Sequence, residues 1–120
     1  MEEMNLRNYA YIGDAVWELF IREKTIYITD NAKQLHLITT EKVKAGYQAG
    51  LLAELDANLT EEEKDLARRA RNLNIPIGRR SNQNEYRHST AFEALIGYWY
   101  KENKPRLDEI LKIIEKNLKF

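Results

Sequence analysis

The sequence has no cysteine among its 120 residues, which excludes disulfide bonds, thiol catalysis and zinc sites with cysteine ligands. Its two histidines, His36 and His88, are too few and too far apart for a zinc site of their own. No apolar run approaches the roughly 18 residues of a membrane-spanning helix, and the acidic start of the chain does not resemble a signal peptide. We therefore expect a cytoplasmic protein with no membrane partner.

The sequence also has no net charge, because 19 Lys and Arg residues balance 19 Asp and Glu residues. The protein as a whole therefore gives no electrostatic argument for nucleic-acid binding. The charges are nevertheless unevenly spread, since residues 64–90 carry seven positive and two negative side chains. This segment indicates local contact with a polyanion. The alternative is a solvated helix face followed by a charged loop.

The remaining composition, 43% hydrophobic and 32% charged, is typical of a globular protein, and the length predicts one domain, residues 1–120. Apolar residues recur at helical spacing along most of the chain, which predicts an all-α fold of about five to seven helices. The predicted helices cover 5–24, 32–55 with or without a break near 39–40, 61–72, 89–101 and a closing segment from Pro105, with a long loop at 74–86. The predicted apolar face of the first helix is Tyr9, Ile12, Val16, Leu19 and Phe20.

Two acidic residues, Asp14 and Glu93, stand out because each lies on a mostly apolar helix. A buried carboxylate is costly unless a cation accompanies it. Small residues beside them, Gly13 among them, would let the two helices approach until both carboxylates share one Mg²⁺ ion, with water and substrate phosphate as the other ligands. The alternative is that each carboxylate pairs with an arginine, such as Arg22 or Arg87.

The stretches around these two acids resemble motifs of the ribonuclease III family. Residues 11–19 (YIGDAVWEL) resemble the signature helix of the family, and residues 89–100 (STAFEALIGYWY) resemble its second acidic motif. Further similarity at 35–36, 43–45, 48–49, 69–72 and 86–90 extends the resemblance over nearly the whole chain. It is strongest to the Mini-ribonuclease III group, whose members consist of the catalytic domain alone.

This resemblance implies a helical homodimer with a ribonuclease III-like fold that cleaves double-stranded RNA with Mg²⁺, or with Mn²⁺ in its place. The products would carry 5′-phosphate and 3′-hydroxyl ends, and the substrate in the group is the precursor of large-subunit (23S) ribosomal RNA. Asp14 and Glu93 match the two metal-binding carboxylates that the group retains, so both are expected to be catalytic metal ligands.

The sequence departs from full-length family members at two further carboxylate positions, which are Ala10 and Thr90 here. The number of metal ions in one active centre therefore stays open. Glu18 lies one helical turn beyond Asp14, and we expect it to form a salt bridge on its helix rather than to reach the metal through water.

Duplex RNA as the implied substrate gives the basic segment a role in contacting phosphate and ribose across the minor groove. The candidate RNA-binding residues are Arg69, Arg71, Arg80 and Arg87, with Lys42, Lys44 and Gln48 as a second stripe. The signature helix lies at the dimer contact in the family, and Tyr11, Trp17 and Phe20 are the candidate interface residues.

A non-catalytic RNA- or ribosome-binding module of the same fold is the alternative function. The absence of carboxylates at positions 10 and 90 favours this alternative, whereas the presence of Asp14 and Glu93 favours an enzyme. A third hypothesis is a helical interaction protein with arginine-paired carboxylates, and the order of the two motifs argues against it.

Overall fold

Helices account for the secondary structure of the chain in a computed structural model that describes residues 3–74 and 83–120. The six α-helices in these ranges are α1 (Leu6–Thr25), α2 (Ala32–Val43), α3 (Ala45–Leu55), α4 (Glu61–Arg71), α5 (Gln83–Glu102) and α6 (Lys104–Lys116), with a short 3-10 helix at Asp56–Asn58. No β-strand occurs in the described residues, so the predicted all-α fold is confirmed. None of these helices combines the length and apolarity needed to cross a membrane.

Side-chain caps begin four of the helices. The side chains of Asn5, Asn31, Thr60 and Asn103 each accept a hydrogen bond from a backbone N–H in the first turn of α1, α2, α4 and α6. Thr60 and Glu63 bond reciprocally and form a capping box. These caps fix where each helix starts by satisfying donors that the helix itself leaves without partners.

The break in the second predicted helix falls at Lys44 rather than at Thr39 and Thr40. Lys44 is extended, with φ −71° and ψ 156°, and separates α2 from α3. Both threonines lie within α2, and both hydroxyls have hydrogen-bond partners. Thr40 Oγ1 donates to the carbonyl oxygen of His36, and Thr39 Oγ1 lies 3.1 Å from Thr25 Oγ1.

Helix α5 starts earlier than the sequence patterns predict, at Gln83 rather than near Ser89. The predicted loop at 74–86 is therefore wrong for its last four residues, and its part at 75–82 lies outside the described residues. Ser89 and Thr90 do not act as caps. Thr90 Oγ1 donates to the carbonyl oxygen of Tyr86 one turn earlier, and Ser89 Oγ donates to Gln48.

Helix α5 is the centre of the fold, and α1, α3, α4 and α6 pack around it. Helix α1 faces α5 with Tyr9, Gly13, Trp17 and Ile21, which follow one another at steps of four residues and are all buried. Leu19 lies outside this stripe and is 59% exposed, so its place on the predicted apolar face of the first helix is wrong. Trp17 stacks on Phe20 and meets Phe92 edge-on at 5.1 Å between ring centroids. The large apolar residues that α5 buries are Phe92, Leu95, Ile96 and Trp99.

Glu63 ties α4 to α5 and α6. Its carboxylate accepts hydrogen bonds from Trp99 Nε1 at 2.9 Å and from Arg106 Nε and Nη2 at 2.9 and 2.8 Å. Burial alone would raise the pKa of Glu63, but the hydrogen bonds from Arg106, Thr60 and Trp99 outweigh it and lower the pKa to about 2. This clamp fixes the C-terminal part of α5, the helix that also carries Glu93.

Candidate active site

Two glycines allow the backbones of α1 and α5 to touch. A β-carbon on Gly97 would stand 1.9 Å from the carbonyl oxygen of Tyr9, and Gly13 approaches the backbone of Glu93 just as closely. Any larger residue at either position would push the two helices apart. The expected role of small residues in bringing these helices together is therefore confirmed.

This close approach places the carboxyl groups of Asp14 and Glu93 side by side. Asp14 is exposed, whereas Glu93 is partly buried between α1 and α3. Burial is the largest cause that raises the pKa of Glu93; together with the hydrogen bond to Asp14 and the negative charge of Asp14, and against the opposing hydrogen bond from Gln48, it brings the pKa from 4.5 to about 9. Without a cation, Glu93 therefore holds a proton at neutral pH.

The arginines that were alternative partners for these acids lie elsewhere. Arg22 forms an ion pair with Glu18 one turn along α1, so the expected salt bridge of Glu18 is confirmed. Arg87 Nη1 donates to the carbonyl oxygens of Arg71 and Leu73 at 2.9 and 3.2 Å, where it closes the end of α4. Within residues 3–74 and 83–120, no Lys or Arg forms an ion pair with Asp14 or Glu93. The arginine-paired alternative is therefore wrong for this part of the chain.

The donor set fits a divalent cation that keeps most of its water. Asp14 and Glu93 offer carboxylate oxygens from separate helices, which is the usual protein contribution to a Mg²⁺ site. In the described part of the chain they gain no third His, Cys, Asp or Glu ligand. The positions of the two missing carboxylates are filled by Ala10, which is buried, and by Thr90, whose hydroxyl is bonded to the backbone. Water and substrate would have to supply the remaining ligands.

Gln48 is a site residue that the sequence patterns placed wrongly. Its side chain is fully buried, so it cannot contact RNA as part of a surface stripe. Nε2 of Gln48 donates to Glu93 Oε2 at 3.4 Å, and Oε1 accepts a hydrogen bond from Ser89 Oγ. The signal in the sequence was its spacing, because Gln48 shares the helical stripe of Leu51, Leu52 and Leu55, which are all buried.

Several candidate RNA-binding residues are already engaged in the fold. Arg69 uses Nε to bind Asp65 at 2.9 Å and its two terminal nitrogens to bind Glu3 at 2.8 and 2.9 Å. Lys44 Nζ pairs with Glu41 at 2.9 Å. Lys42 Nζ lies 4.6 Å from the centroid of the Tyr47 ring, and the guanidinium of Arg87 closes α4, as described above. Arg80 lies outside the described residues.

Arg71 is the candidate that remains directed to an open surface. Among the described residues it forms no ion pair, and it lines a groove of about 450 Å³ between α3, α4 and α5. Lys64, Arg68, His88 and Asp56 line the same groove, where Lys64 pairs with Glu61 and Arg68 with Asp65. This cationic groove brings several positive groups near one another, and a phosphate backbone is attracted by such a cluster.

The three candidate interface residues differ in accessibility. Tyr11 is 85% exposed, Phe20 is partly buried, and Trp17 is fully buried. Trp17 Nε1 donates to the carbonyl oxygen of Lys42 at 2.8 Å, so this residue belongs to the core and its expected place at an interface is wrong. The exposed apolar side chains of the α1 region are Tyr11, Leu19, Ile26, Tyr27 and Ile28.

Comparison with known proteins gives consistent results. The family model of the ribonuclease III domain matches residues 7–104. The chain is 39% identical to Mini-ribonuclease 3 from Gloeobacter violaceus, over 96% of this chain and 85% of that protein, and 38% identical to Mini-ribonuclease 3 from Clostridium tetani, over 95% and 78%. Its fold is similar to the X-ray crystal structure of protein FN1578 from Fusobacterium nucleatum, with a TM-score of 0.85 and 33% identity over 98% of this chain and 97% of that one.

Proposed function

Because this chain belongs to the ribonuclease III family, and its relatives there are Mini-ribonuclease 3 proteins, we propose that it cleaves double-stranded RNA at the pair Asp14 and Glu93 with Mg²⁺. The observation that carries the proposal is the position of two carboxylates against each other with no protein cation beside them in the described residues. Two ionised carboxylates this close are unfavourable, so Glu93 keeps its proton without a metal, and a divalent cation would allow both groups to ionise.

The two acids have different tasks in this proposal. Asp14 is exposed and reaches the surface where the scissile phosphate would lie, whereas Glu93 is recessed and fixed by neighbouring side chains. Glu93 gives up its proton when a divalent ion is present, since a metal ligand must be a carboxylate. Asp14 and Glu93 would hold a Mg²⁺ ion that polarises the scissile phosphate and lowers the pKa of the attacking water. The water oxygen would bond to phosphorus as the P–O3′ bond breaks, which leaves 5′-phosphate and 3′-hydroxyl ends.

We further propose that residues 1–120 act as one catalytic domain on the paired ends of precursor large-subunit ribosomal RNA. The similarity to Mini-ribonuclease 3 over most of the chain supports this assignment. The cationic groove lined by Lys64, Arg68, Arg71 and His88 supplies phosphate contacts that depend on the shape of the duplex rather than on its sequence.

A homodimer completes the proposal. Tyr11, Leu19 and Ile26 lie on one side of α1 and its C-terminal end at helical spacing, and each is more than half exposed. A self-complementary contact through such a stripe is the usual arrangement in a two-fold dimer. Covering these side chains would remove exposed apolar surface at the edge of the helix that carries Asp14.

The experiment that tests the catalytic proposal is cleavage of a labelled RNA duplex in Mg²⁺ or Mn²⁺. We expect wild type to cut, Asp14→Asn and Glu93→Gln to lose cutting by a factor of at least about 100, and all three to shift the duplex on a gel in Ca²⁺. Glu18→Gln is the matched control, because it removes a carboxylate one turn from Asp14 that is paired with Arg22. A wild-type chain that shifts the duplex without cutting it would favour the non-catalytic binding module.

A further inference from the structure

Gln48 joins α3 to the recessed carboxylate of the proposed site. Its amide is fully buried, donates to Glu93 Oε2 and accepts from Ser89 Oγ. We infer that Gln48 is a positioning residue that fixes the Glu93 carboxylate for metal binding, and that Ser89 in turn orients the Gln48 amide. This inference rests on the proposed function, because it assigns a role in the same metal site.

The chemistry of the three groups allows one orientation of the amide when Glu93 is ionised. A carboxylate only accepts hydrogen bonds, so the NH₂ group of Gln48 must face Glu93. The amide oxygen is then left for Ser89, whose hydroxyl can donate. Each group therefore has the partner that it requires, and both hydrogen bonds have a fixed donor: Ser89 donates to Gln48, and Gln48 donates to Glu93.

The positions of Ser89 and Glu93 on one helix let these two hydrogen bonds hold the Glu93 carboxylate in place. They are four residues apart on α5, so their side chains lie one above the other on the same face of the helix. Gln48 spans that turn from the first turn of α3 and contacts one oxygen of Glu93. The second oxygen lies outside this hydrogen bond and is the one left for a cation shared with Asp14.

Packing alone does not explain an amide at this position. Gln48 lies in the buried stripe of α3, which packs on α5, and the other three buried residues of α3 are Leu51, Leu52 and Leu55. A leucine would fill similar volume without burying polar atoms that need partners. In metal sites, hydrogen-bonding neighbours of the ligands commonly change metal affinity by about 10- to 100-fold when they are removed. Gln48 has the contacts expected of such a neighbour.

The test measures metal binding separately from cutting. Thermal melting of wild type, Gln48→Leu and Ser89→Ala is followed as Mg²⁺ is added without RNA, because a ligand of the folded state raises stability with its concentration. We expect Gln48→Leu to need at least about 10-fold more Mg²⁺ than wild type for the same rise in melting temperature. Ser89→Ala should need a smaller increase in Mg²⁺ concentration.

Thr39→Val is the matched control. It also removes a buried polar group of one hydrogen-bonded pair, the hydroxyl bonded to Thr25, but it does so without contact to Glu93. We expect its melting temperature to fall while its Mg²⁺ requirement stays at the wild-type value. A change in Mg²⁺ requirement that is equal in Thr39→Val and Gln48→Leu would overturn the inference, since it would reflect general loss of stability.

A second readout follows Gln48 itself in the wild-type protein. Its side-chain NH₂ signals in an ¹⁵N–¹H NMR spectrum are identified by their absence in Gln48→Leu, and they should move when Mg²⁺ is added. Unmoved signals together with an unchanged Mg²⁺ requirement in Gln48→Leu would overturn the role of Gln48 alone, provided that wild type binds Mg²⁺ and cuts RNA. A wild-type chain that neither binds Mg²⁺ nor cuts would overturn the proposed function and this inference with it.

Discussion

Gly13 lies against the backbone of Glu93 so closely that a β-carbon at position 13 would stand 1.8 Å from the Glu93 carbonyl oxygen. The residue before Asp14 thus touches the residue that carries the second carboxylate. The separation of the two acids is consequently determined by backbone contact between α1 and α5 rather than by the reach of flexible side chains. Substitutions at this contact should affect stability and cleavage together.

Gly13→Ala tests this relationship. The added methyl group meets main-chain atoms that cannot rotate away, so we expect the free energy of unfolding to fall by about 3 kcal/mol and cleavage to be lost. Gly50→Ala is the control, because a β-carbon there meets no atom of the described residues within 4 Å, and it should stabilise α3 by about 0.5 to 1 kcal/mol. Urea unfolding of both variants measures the difference. Equal stability of the two variants would contradict the backbone contact.

The proton held by Glu93 predicts how the metal-free protein responds to pH. The pKa of Glu93 is about 9 in the folded chain against an ordinary value of 4.5. Between these two pH values the Glu93 carboxyl binds more protons in the folded state than in the unfolded state. Its contribution to the free energy of unfolding is therefore full below about pH 4.5 and is lost as pH rises toward 9. Glu93→Gln removes this loss. In EDTA we expect Glu93→Gln to melt higher than wild type near pH 8 and at about the same temperature near pH 4.5.

With Mg²⁺ present, wild type should melt at a higher temperature than Glu93→Gln near pH 8. Metal binding displaces the proton of Glu93, so the concentration of Mg²⁺ that half-saturates wild type should fall as pH rises from about 6 to 9. Melting curves across Mg²⁺ concentrations at several pH values give this dependence. An affinity independent of pH would mean that Glu93 is already ionised in the metal-free chain.

The sequence predicted the elements of this site better than the connections around them. The motif around Asp14 and the small residues beside Asp14 and Glu93 were enough to predict that α1 and α5 approach closely, because local spacing and residue size determine that contact. Gln48 could not be assigned in the same way, since its partners Ser89 and Glu93 lie 41 and 45 residues away in the chain. The predicted start of α5 near Ser89 was also wrong, since α5 begins at Gln83 and Ser89 lies inside it with its hydroxyl bonded to Gln48.

Glu63 predicts a separate dependence on acid. Its pKa is lowered to about 2 in the folded chain from 4.5, so the stability it contributes is full above about pH 4.5 and is lost as pH falls toward 2. We expect Glu63→Gln to lower the free energy of unfolding by about 2 kcal/mol at pH 7, with the difference from wild type shrinking in acid. Glu61→Gln, at a side chain 93% exposed, is the control and should change little. A Glu63→Gln variant as stable as wild type at pH 7 would exclude the clamp with Arg106.

Arg71 and Arg69 should behave differently although both lie on α4. Arg71→Ala removes a cation from the groove and should weaken duplex binding, with the slope of log affinity against log salt reduced by about one. Arg69→Ala removes the same charge, but its guanidinium is held by Glu3 and Asp65, so we expect binding close to wild type. Filter binding in Ca²⁺ at several salt concentrations measures both. Equal loss in the two variants would mean that general charge on α4, rather than the groove, attracts the duplex.

Leu19 gives the sharpest test of the proposed dimer. Its side chain is 59% exposed on α1 and lies outside the stripe that packs on α5, so replacement by glutamate leaves the described core unchanged. If two copies meet through this face, Leu19→Glu places two carboxylates in an apolar contact related by two-fold symmetry, where they cannot be hydrated. Light scattering should then show the mass of one chain for Leu19→Glu and of two chains for wild type and for Phe120→Glu, which alters an exposed aromatic residue beyond α6. Circular dichroism should show the same helix content in all three, so that loss of the dimer is separated from unfolding. A wild-type chain with the mass of one copy, or a Leu19→Glu chain with the mass of two, would contradict an interface built on this side of α1.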